Sequence, residues 1–388
     1  MSPHGFRLTR ILRRGVPLGG MLAGALALTA CGSSMSVASQ SSAPEIGANS
    51  PLATSLATAS DSWAIIPMAA NPAFWQVFVR SATSATWKLV TPPGVADNGG
   101  LVVADAGSSA LTVAVRPNQD LLFSPLASTT DAGANWATGG PLEAAVADSP
   151  DALAAVGNDL VALLTDGGIE TSADAGATWR VMAKPGAIAS SAAGKSCGAV
   201  TITSVSFGTS ATDVLAGGTC GTSDTTAIFS DSGGSWQRVS LPVSGQLVRL
   251  TDGVALVRAK AGLTAVFGGT GWTAYAPLAT PSTPDAWTAS SPLPVTDTIR
   301  ASGTLAGGGA WVVLSDGQGA TIAGPGQQWL ALPPLPAKTS VLAAGAGGMT
   351  DALAVSGATL TVWQLAPRAT VWTKAQAINV PIQYGSSS

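Results

Sequence analysis

The sequence predicts an all-β chain folded as a single seven-bladed β-propeller, and three observations carry that expectation. First, Trp recurs at Trp87, Trp136, Trp179, Trp236, Trp272, Trp329 and Trp372, in steps of 49, 43, 57, 36, 57 and 43 residues. Self-similarity with a period of about 20–50 residues marks a solenoid, propeller or array. Second, two octets share one design, Thr129-Thr130-Asp131-Ala132-Gly133-Ala134-Asn135-Trp136 and Ser172-Ala173-Asp174-Ala175-Gly176-Ala177-Thr178-Trp179. Third, short apolar runs punctuated by Gly, Asp and Pro fill the intervals, with no sustained 3.6-residue period after the first thirty residues.

Residues 1–30 read as a signal peptide. Arg7, Arg10, Arg13 and Arg14 precede an apolar stretch that ends Leu28-Thr29-Ala30-Cys31. Arg13-Arg14 leaves general and twin-Arg export both open. Residues 31–60, beginning at Cys31 and rich in Ser, Ala, Thr and Pro, read as a flexible tether. The propeller is expected over 61–384, with 385–388 as a tail. In its first repeat the strand runs are Ser62–Met68, Phe74–Arg80 and Thr86–Val90, one short of a blade. After Trp136 come Ala152–Val156, Leu160–Leu164, Ile169–Ser172 and a run at Trp179–Val181, four strands and hence a whole blade. Asp231, Gly233 and Trp236 keep part of the octet; the units at Trp272 and Trp329 keep only Gly and Trp, and those at Trp87 and Trp372 little more than position. That degeneracy leaves six or eight blades open. The run Asn379–Tyr384 is expected to complete the first blade as its innermost strand, removing two open sheet edges.

The octet resembles the Asp-box (BNR) motif of sialidases, sortilin-type receptors and photosystem II assembly-factor propellers. The resemblance implies a hairpin between the third and fourth strands of a blade, with Asp bonding backbone N–H groups, Gly at φ > 0 and Trp packed inward. On that reading Asp131, Gly133, Trp136, Asp174, Gly176, Trp179, Asp231, Gly233 and Trp236 are structural. The end Leu28-Thr29-Ala30-Cys31 resembles a bacterial lipobox, which implies diacylation of Cys31, including palmitate, and an exported, membrane-anchored protein. Sialidases hold their substrate carboxylate with three Arg, one in an Arg-Ile-Pro motif. Here Trp63-Ala64-Ile65-Ile66-Pro67 has Ile65 at the Arg position, and Tyr275 and Tyr384 are the only Tyr. The fold resemblance carries over; the catalytic set does not.

The chemical inventory is sparse. His4, in the signal, is the only His, so after processing no imidazole is left for a Ser/His/Asp or Cys/His mechanism or a His-ligated metal. No metal or cofactor is expected. Processing removes four of 18 basic residues and none of 21 acidic ones, leaving a net charge near −7 and arguing against nucleic-acid binding. Cys197 and Cys220 remain, at the start of the run Ala199–Phe207 and just after Val214–Gly218. An exported protein should bridge them. Glu occurs only at Glu45, Glu143 and Glu170, and most Asp sit in turn contexts such as Asp166-Gly167 and Asp316-Gly317.

A ligand is expected at the loops joining the second to the third strand and one blade to the next. Candidates there are Arg116, Asp120, Arg258 and Lys260, with Asp285 and Trp287 in the segment 277–296. Solvated turns, and for Trp287 a ring folded back on its own blade, are the bland alternatives. The expected function is a monomeric, envelope-anchored, non-catalytic propeller that binds a protein or glycan or scaffolds a membrane complex. An extracellular glycoside hydrolase, which needs two facing carboxylates, is the alternative.

Overall fold

The computed structural model describes residues 53–381, apart from 58–59, 69–73, 93–100, 106–109, 116–125, 139–149, 209, 222–224, 232, 252–253, 268–271, 274–275, 278–286, 296, 306–308 and 325. They belong to a compact unit spanning Ile46–Ser388. Seven four-stranded antiparallel sheets follow one another along it, as the blades of a propeller. Blade 1 is β1 (Thr54–Ala57), β2 (Asp61–Met68), β3 (Phe74–Ser81) and β4 (Lys88–Leu89). Blade 2 is β5 (Leu101–Asp105), β6 (Leu111–Val115), β7 (Leu126–Thr129) and β8 (Ala137–Thr138); blade 3 is β9 (Pro150–Val156), β10 (Asp159–Leu164), β11 (Ile169–Ser172) and β12 (Arg180–Ala183). Helices α1 (Ala187–Ser190) and α2 (Ala192–Lys195) lead to blade 4, made of β13 (Val200–Phe207), β14 (Val214–Cys220), β15 (Thr225–Asp231) and β16 (Trp236–Val239). Blade 5 is β17 (Gln246–Thr251), β18 (Val254–Ala259), β19 (Gly262–Phe267) and β22 (Thr288–Ala289), with a small inserted hairpin, β20 (Trp272–Thr273) and β21 (Ala276–Pro277). Blade 6 is β23 (Ile299–Leu305), β24 (Gly309–Leu314), β25 (Gly319–Ile322) and β26 (Leu330–Ala331); blade 7 is β27 (Thr339–Ala344), β28 (Thr350–Ser356), β29 (Thr359–Leu365) and β30 (Thr373–Asn379).

Each sheet buries both faces, so its inner strands are nearly continuous in Ala, Val, Leu and Ile rather than alternating. The core is accordingly divided among the interfaces between blades. One cluster joins Trp63 and Val77 of blade 1 to Leu111 and Val113 of blade 2. Others link blades 2 and 3, 3 and 4, 4 and 5, and 5 and 6. The largest runs from Trp311 in blade 6 through Leu353 in blade 7 to Phe78 and Trp87 in blade 1. Strand alternation sets two faces. The first-to-second and third-to-fourth connections lie on one, the hairpin face. The second-to-third and blade-to-blade connections lie on the other, the loop face.

Two expectations are corrected here. The innermost strand of blade 1 is not the C-terminal segment but β1, inside the stretch read as tether. The C-terminal strand is instead β30, the outermost strand of blade 7, ending at Asn379. The physical reason is that Thr54-Ser55-Leu56-Ala57 already supplies what the position needs. Leu56 packs with Trp63 and Leu111, while Thr54 and Ser55 face neighbouring backbone. Thr54 Oγ1 donates to Ser302 O at 2.8 Å and Ser55 Oγ to Leu342 O at 2.6 Å. Trp311 Nε1 donates to Ser55 Oγ at 2.8 Å, and Arg249 Nη2 to Thr54 Oγ1 at 3.0 Å. Backbone approaches so closely that a Cβ at Gly303 would collide with the Ser55 carbonyl. β1 thus fastens blades 5, 6 and 7 from inside.

The second correction concerns the Trp register. In the other six blades the register Trp immediately precedes or opens the outermost strand; in blade 5 that residue is Trp287, ahead of β22, and Trp272 sits in the inserted hairpin. The steps around blade 5 become 51 and 42 residues.

Candidate functional site

The octets lie on the hairpin face and are spent on structure. In blade 2, Asp131 Oδ1 accepts from the Asn135 N–H at 2.8 Å and from Thr129 Oγ1 at 2.9 Å, and Asp131 Oδ2 accepts from Asn135 Nδ2 at 2.7 Å. The Gly133 N–H donates to Thr129 Oγ1 at 3.0 Å. Blade 3 repeats this with Ser172, Asp174, Gly176 and Thr178 at nearly equal distances. The bonds from Asn135, side chain first, hold the Asp131 carboxyl below the usual range, and those from Thr178 hold Asp174 down at about 2. Gly133 has φ +78° and lies so near blade 1 that a Cβ would stand 2.6 Å from Val90 Cβ. Trp136 Nε1 donates to Val90 O at 2.9 Å, and Trp179 Nε1 to Gly176 O at 3.1 Å. In blade 4 Asp231 Oδ1 accepts from the Gly234 N–H at 2.6 Å, and Trp236 packs on the core between blades 3 and 4.

Blade 1 meets blade 7 by a different device. Arg80 stands seven residues before Trp87, where the octets have Thr129 and Ser172. It is 2% exposed and pairs through Nε with Oδ2 of the fully buried Asp351, at 3.3 Å. Its guanidinium also donates to Ser62 Oγ, Ser84 O and Ala344 O. Trp87 Nε1 donates to Asp351 Oδ2 at 2.9 Å, and its ring lies 5.6 Å from the guanidinium carbon. The Gln376 amide accepts from the Trp87 N–H at 2.8 Å and donates to Trp87 O at 2.9 Å, pairing like a strand. Burial pushes the Asp351 carboxyl up, against the pull of Trp87 and Arg80, and pushes Arg80 down, against Asp351 and Asp61. Carboxylates and an arginine do converge here, but sealed inside the ring seam.

Among the described residues of the loop face the most elaborated region is blade 4. Cys197 and Cys220 form a disulfide with Cα atoms 5.1 Å apart, joining the entrance of β13 to the end of β14. The α1–α2 segment precedes it, with Ser191 capping α2 by accepting from the Gly194 N–H. Beside it a cleft of about 490 Å³ is lined by Thr225, Thr226, Arg238, Val239 and the segment Ser240 to Ser244. The Thr226 N–H and hydroxyl both bond Gly245 O and fix one wall. Among the described residues the lining holds hydroxyls, apolar side chains and one exposed Arg, with no carboxylate.

No family model and no curated protein matches this chain. Solved structures do resemble it. YCF48 from Cyanidioschyzon merolae is 13% identical with a TM-score of 0.48, over 80% of this chain and 94% of that one. A structure of YCF48 bound to D1 peptide is 15% identical with a TM-score of 0.46, covering 80% and 92%. The GH74 xyloglucanase from Xanthomonas campestris is 17% identical with a TM-score of 0.47, covering 84% of this chain and 54% of the enzyme.

Three of the six loop-face candidates are described. Arg258 is half-buried near the end of β18 and Lys260 is exposed in the β18–β19 turn; Arg116, Asp120, Asp285 and Cys31 lie outside the described residues. Trp287 ends the connection from the third strand β19 to the fourth strand β22 and so stands on the hairpin face, not on the expected loop face, half-buried against the core between blades 4 and 5. The segment 277–296 is not one loop, since it contains β22 and the bridge between Leu293 and Leu263. Among the described residues no three His, Cys, Asp or Glu side chains gather to hold a metal. The cleft and Arg238 were missed because they depend on the turn after β16. The Ala-rich run Ala187–Lys195 was the available signal for the helices.

Proposed function

We propose that the chain is an exported lipoprotein, anchored through Cys31, whose propeller carries Asp-box repeats and binds a protein partner at the cell envelope without catalysing a reaction. The observation that carries the reading is the blade 4 cleft: a disulfide-braced groove whose described lining is hydroxyls, Val, Leu and Pro with one arginine and no carboxylate. Such a lining suits an extended peptide, whose backbone needs hydroxyl and carbonyl partners and whose acidic group would meet Arg238. A glycosidase would need two carboxylates about 5–9.5 Å apart in the groove. None of the described lining residues is an acid, and three described acids are committed elsewhere, Asp131 and Asp174 in hairpins and Asp351 in the seam. The peptide-bound YCF48 structure is in keeping with a propeller of this kind binding a protein.

The test is capture of partners from envelope extract on the purified propeller, compared with Arg238→Glu. Loss of one specific partner supports the cleft; an unchanged partner set removes it. Hydrolysis of a polysaccharide by the purified protein would replace this reading with the glycosidase one. Fractionation of a Cys31→Ser form tests the anchor separately, since normal processing and membrane retention would refute it.

A further inference from the structure

We propose that the loop face of blades 5–7 is a seat for an anionic lipid bilayer, so that the propeller docks on the membrane by that face. Two independent features point there. The first is topological. β1 runs from the loop face toward the hairpin face, because Thr54 pairs with Ile65 and Ala57 with Ser62 at the start of β2. β1 therefore begins on the loop face. It begins beside blades 5 to 7, where Thr54 and Ser55 are bonded by Arg249, Ser302 and Leu342.

The second feature is charge. At the loop-face ends of these three blades stand Arg258 and Lys260 in blade 5, Arg300 in blade 6 and Lys338 in blade 7. The innermost strands are bulged here, between Leu247 and Arg249, Ile299 and Ala301, and Thr339 and Val341. A bulge re-aims the side chain it carries, and Arg300 is the bulged residue of blade 6. Its guanidinium donates to Thr339 O, which sets it next to Lys338. Lys338, at φ +64°, reaches Ser356 Oγ at 3.0 Å. Arg300, Lys338 and Lys260 are exposed. The described acids on the same face of these blades are Asp297 and Asp316. Asp297 accepts from Ser315 Oγ at 3.5 Å, and Asp316 from the Gln318 N–H at 2.9 Å. Four cations against two carboxylates leave this crescent positive on a chain that is acidic as a whole. Basic residues within a Debye length of an anionic surface are attracted to it. A tether raises the effective concentration of so weak a contact.

The proposal adds orientation to the lipoprotein reading but is testable without the lipid. A chain beginning at Gly32 keeps the whole compact unit that starts at Ile46. It should sediment with vesicles of equal phosphatidylglycerol and phosphatidylcholine at about 10 mM ionic strength, where the Debye length is ~30 Å. Binding to phosphatidylcholine alone should be weaker. Replacing Arg300 and Lys338 together by Gln should weaken partitioning roughly twenty-five-fold, about fivefold for each basic residue lost near the surface. The same neutralisation of Arg368 and Lys374, exposed on the hairpin face, should change it less than twofold. Circular dichroism and melting of each variant confirm that the fold is kept. Equal binding to both vesicle types, or equal loss in the hairpin-face pair, overturns the proposal. The mass of Cys31 in the membrane-derived protein answers the anchoring question independently.

Discussion

Blades 2 and 3 and blade 1 solve the same problem, the turn between a third and a fourth strand, by opposite means. In blades 2 and 3 a carboxylate, a hydroxyl and a glycine within one octet satisfy the backbone locally, and Asp131 and Asp174 remain exposed to water. In blade 1 the hydroxyl position holds Arg80, which bonds Ser62 and Ser84 nearby but also reaches the far end of the chain: Asp351, Ala344 and, through Trp87, Gln376. A local staple costs little to desolvate and secures one hairpin. The long-range clasp desolvates an ion pair and secures the ring, because it joins the first blade to the last. Closure therefore needs no strand exchange.

The comparison breaks most visibly at the buried pair. Removing one partner strands the other charge in the seam, so Arg80→Ala or Asp351→Ala should each destabilise the protein by about 3–5 kcal/mol. Replacing both, as Arg80→Met with Asp351→Leu, should recover most of that loss, since a well-packed apolar pair is often as stable as a buried ionic one. Guanidinium unfolding of the three variants and the parent measures this. Single variants within 1 kcal/mol of the parent would mean that the seam is held by packing alone.

Next in size is the Gln376 clasp. Gln376→Ala leaves the Trp87 N–H and carbonyl without their partner and should cost about 1–3 kcal/mol. Truncation after Ala375 removes that amide and the remainder of β30, so it should cost more. An unchanged melting temperature after truncation would show that β30 plays no part in closing the ring.

What could be read from the sequence follows the same division between local and distant. The octets of blades 2 and 3 are contiguous, so their residues and roles were legible, and seven Trp-ended units gave the blade count. Gly269-Thr270-Gly271-Trp272 copies the Gly-x-x-Trp ending by composition, which drew the register away from Trp287. β1 escaped notice because four residues of Thr, Ser, Leu and Ala carry no pattern outside the channel that accepts them. Arg80 and Asp351 each look like an ordinary surface charge; only the meeting of blades 1 and 7 buries them. The Cys197–Cys220 bridge was legible because its strands are neighbours in sequence as well as in space.

A smaller effect separates the two devices by range. Asp174→Ala should loosen only its own hairpin, raising amide hydrogen exchange at Thr178 while leaving core amides of blades 1 and 7 unchanged. Asp351→Ala should raise exchange on both sides of the seam. Faster exchange throughout the ring in Asp174→Ala would remove the distinction between local staple and global clasp.

The smallest effect has a sign that distinguishes the regions by acid alone. The Asp174 carboxyl is held down at about 2 by the Thr178 hydroxyl and N–H and the Ser172 hydroxyl, against an ordinary value near 3.8. A carboxyl depressed on folding stabilises the native state above its unfolded value, and that contribution is lost as pH falls through the folded one. The blade 3 staple should therefore weaken between about pH 4 and pH 2, and Asp174→Asn should flatten the pH dependence over that window. Asp351 has the opposite sign: burial raises its carboxyl, so its contribution is present below the ordinary value and lost as pH rises through the raised one. Carboxyl carbon NMR resolves the two, with Asp174 titrating near 2 and Asp351 above the usual carboxylate range. An Asp174 midpoint near 3.8 would mean that the hairpin bonds do not favour its charged form. The octet would then be held by its glycine and tryptophan rather than by its acid.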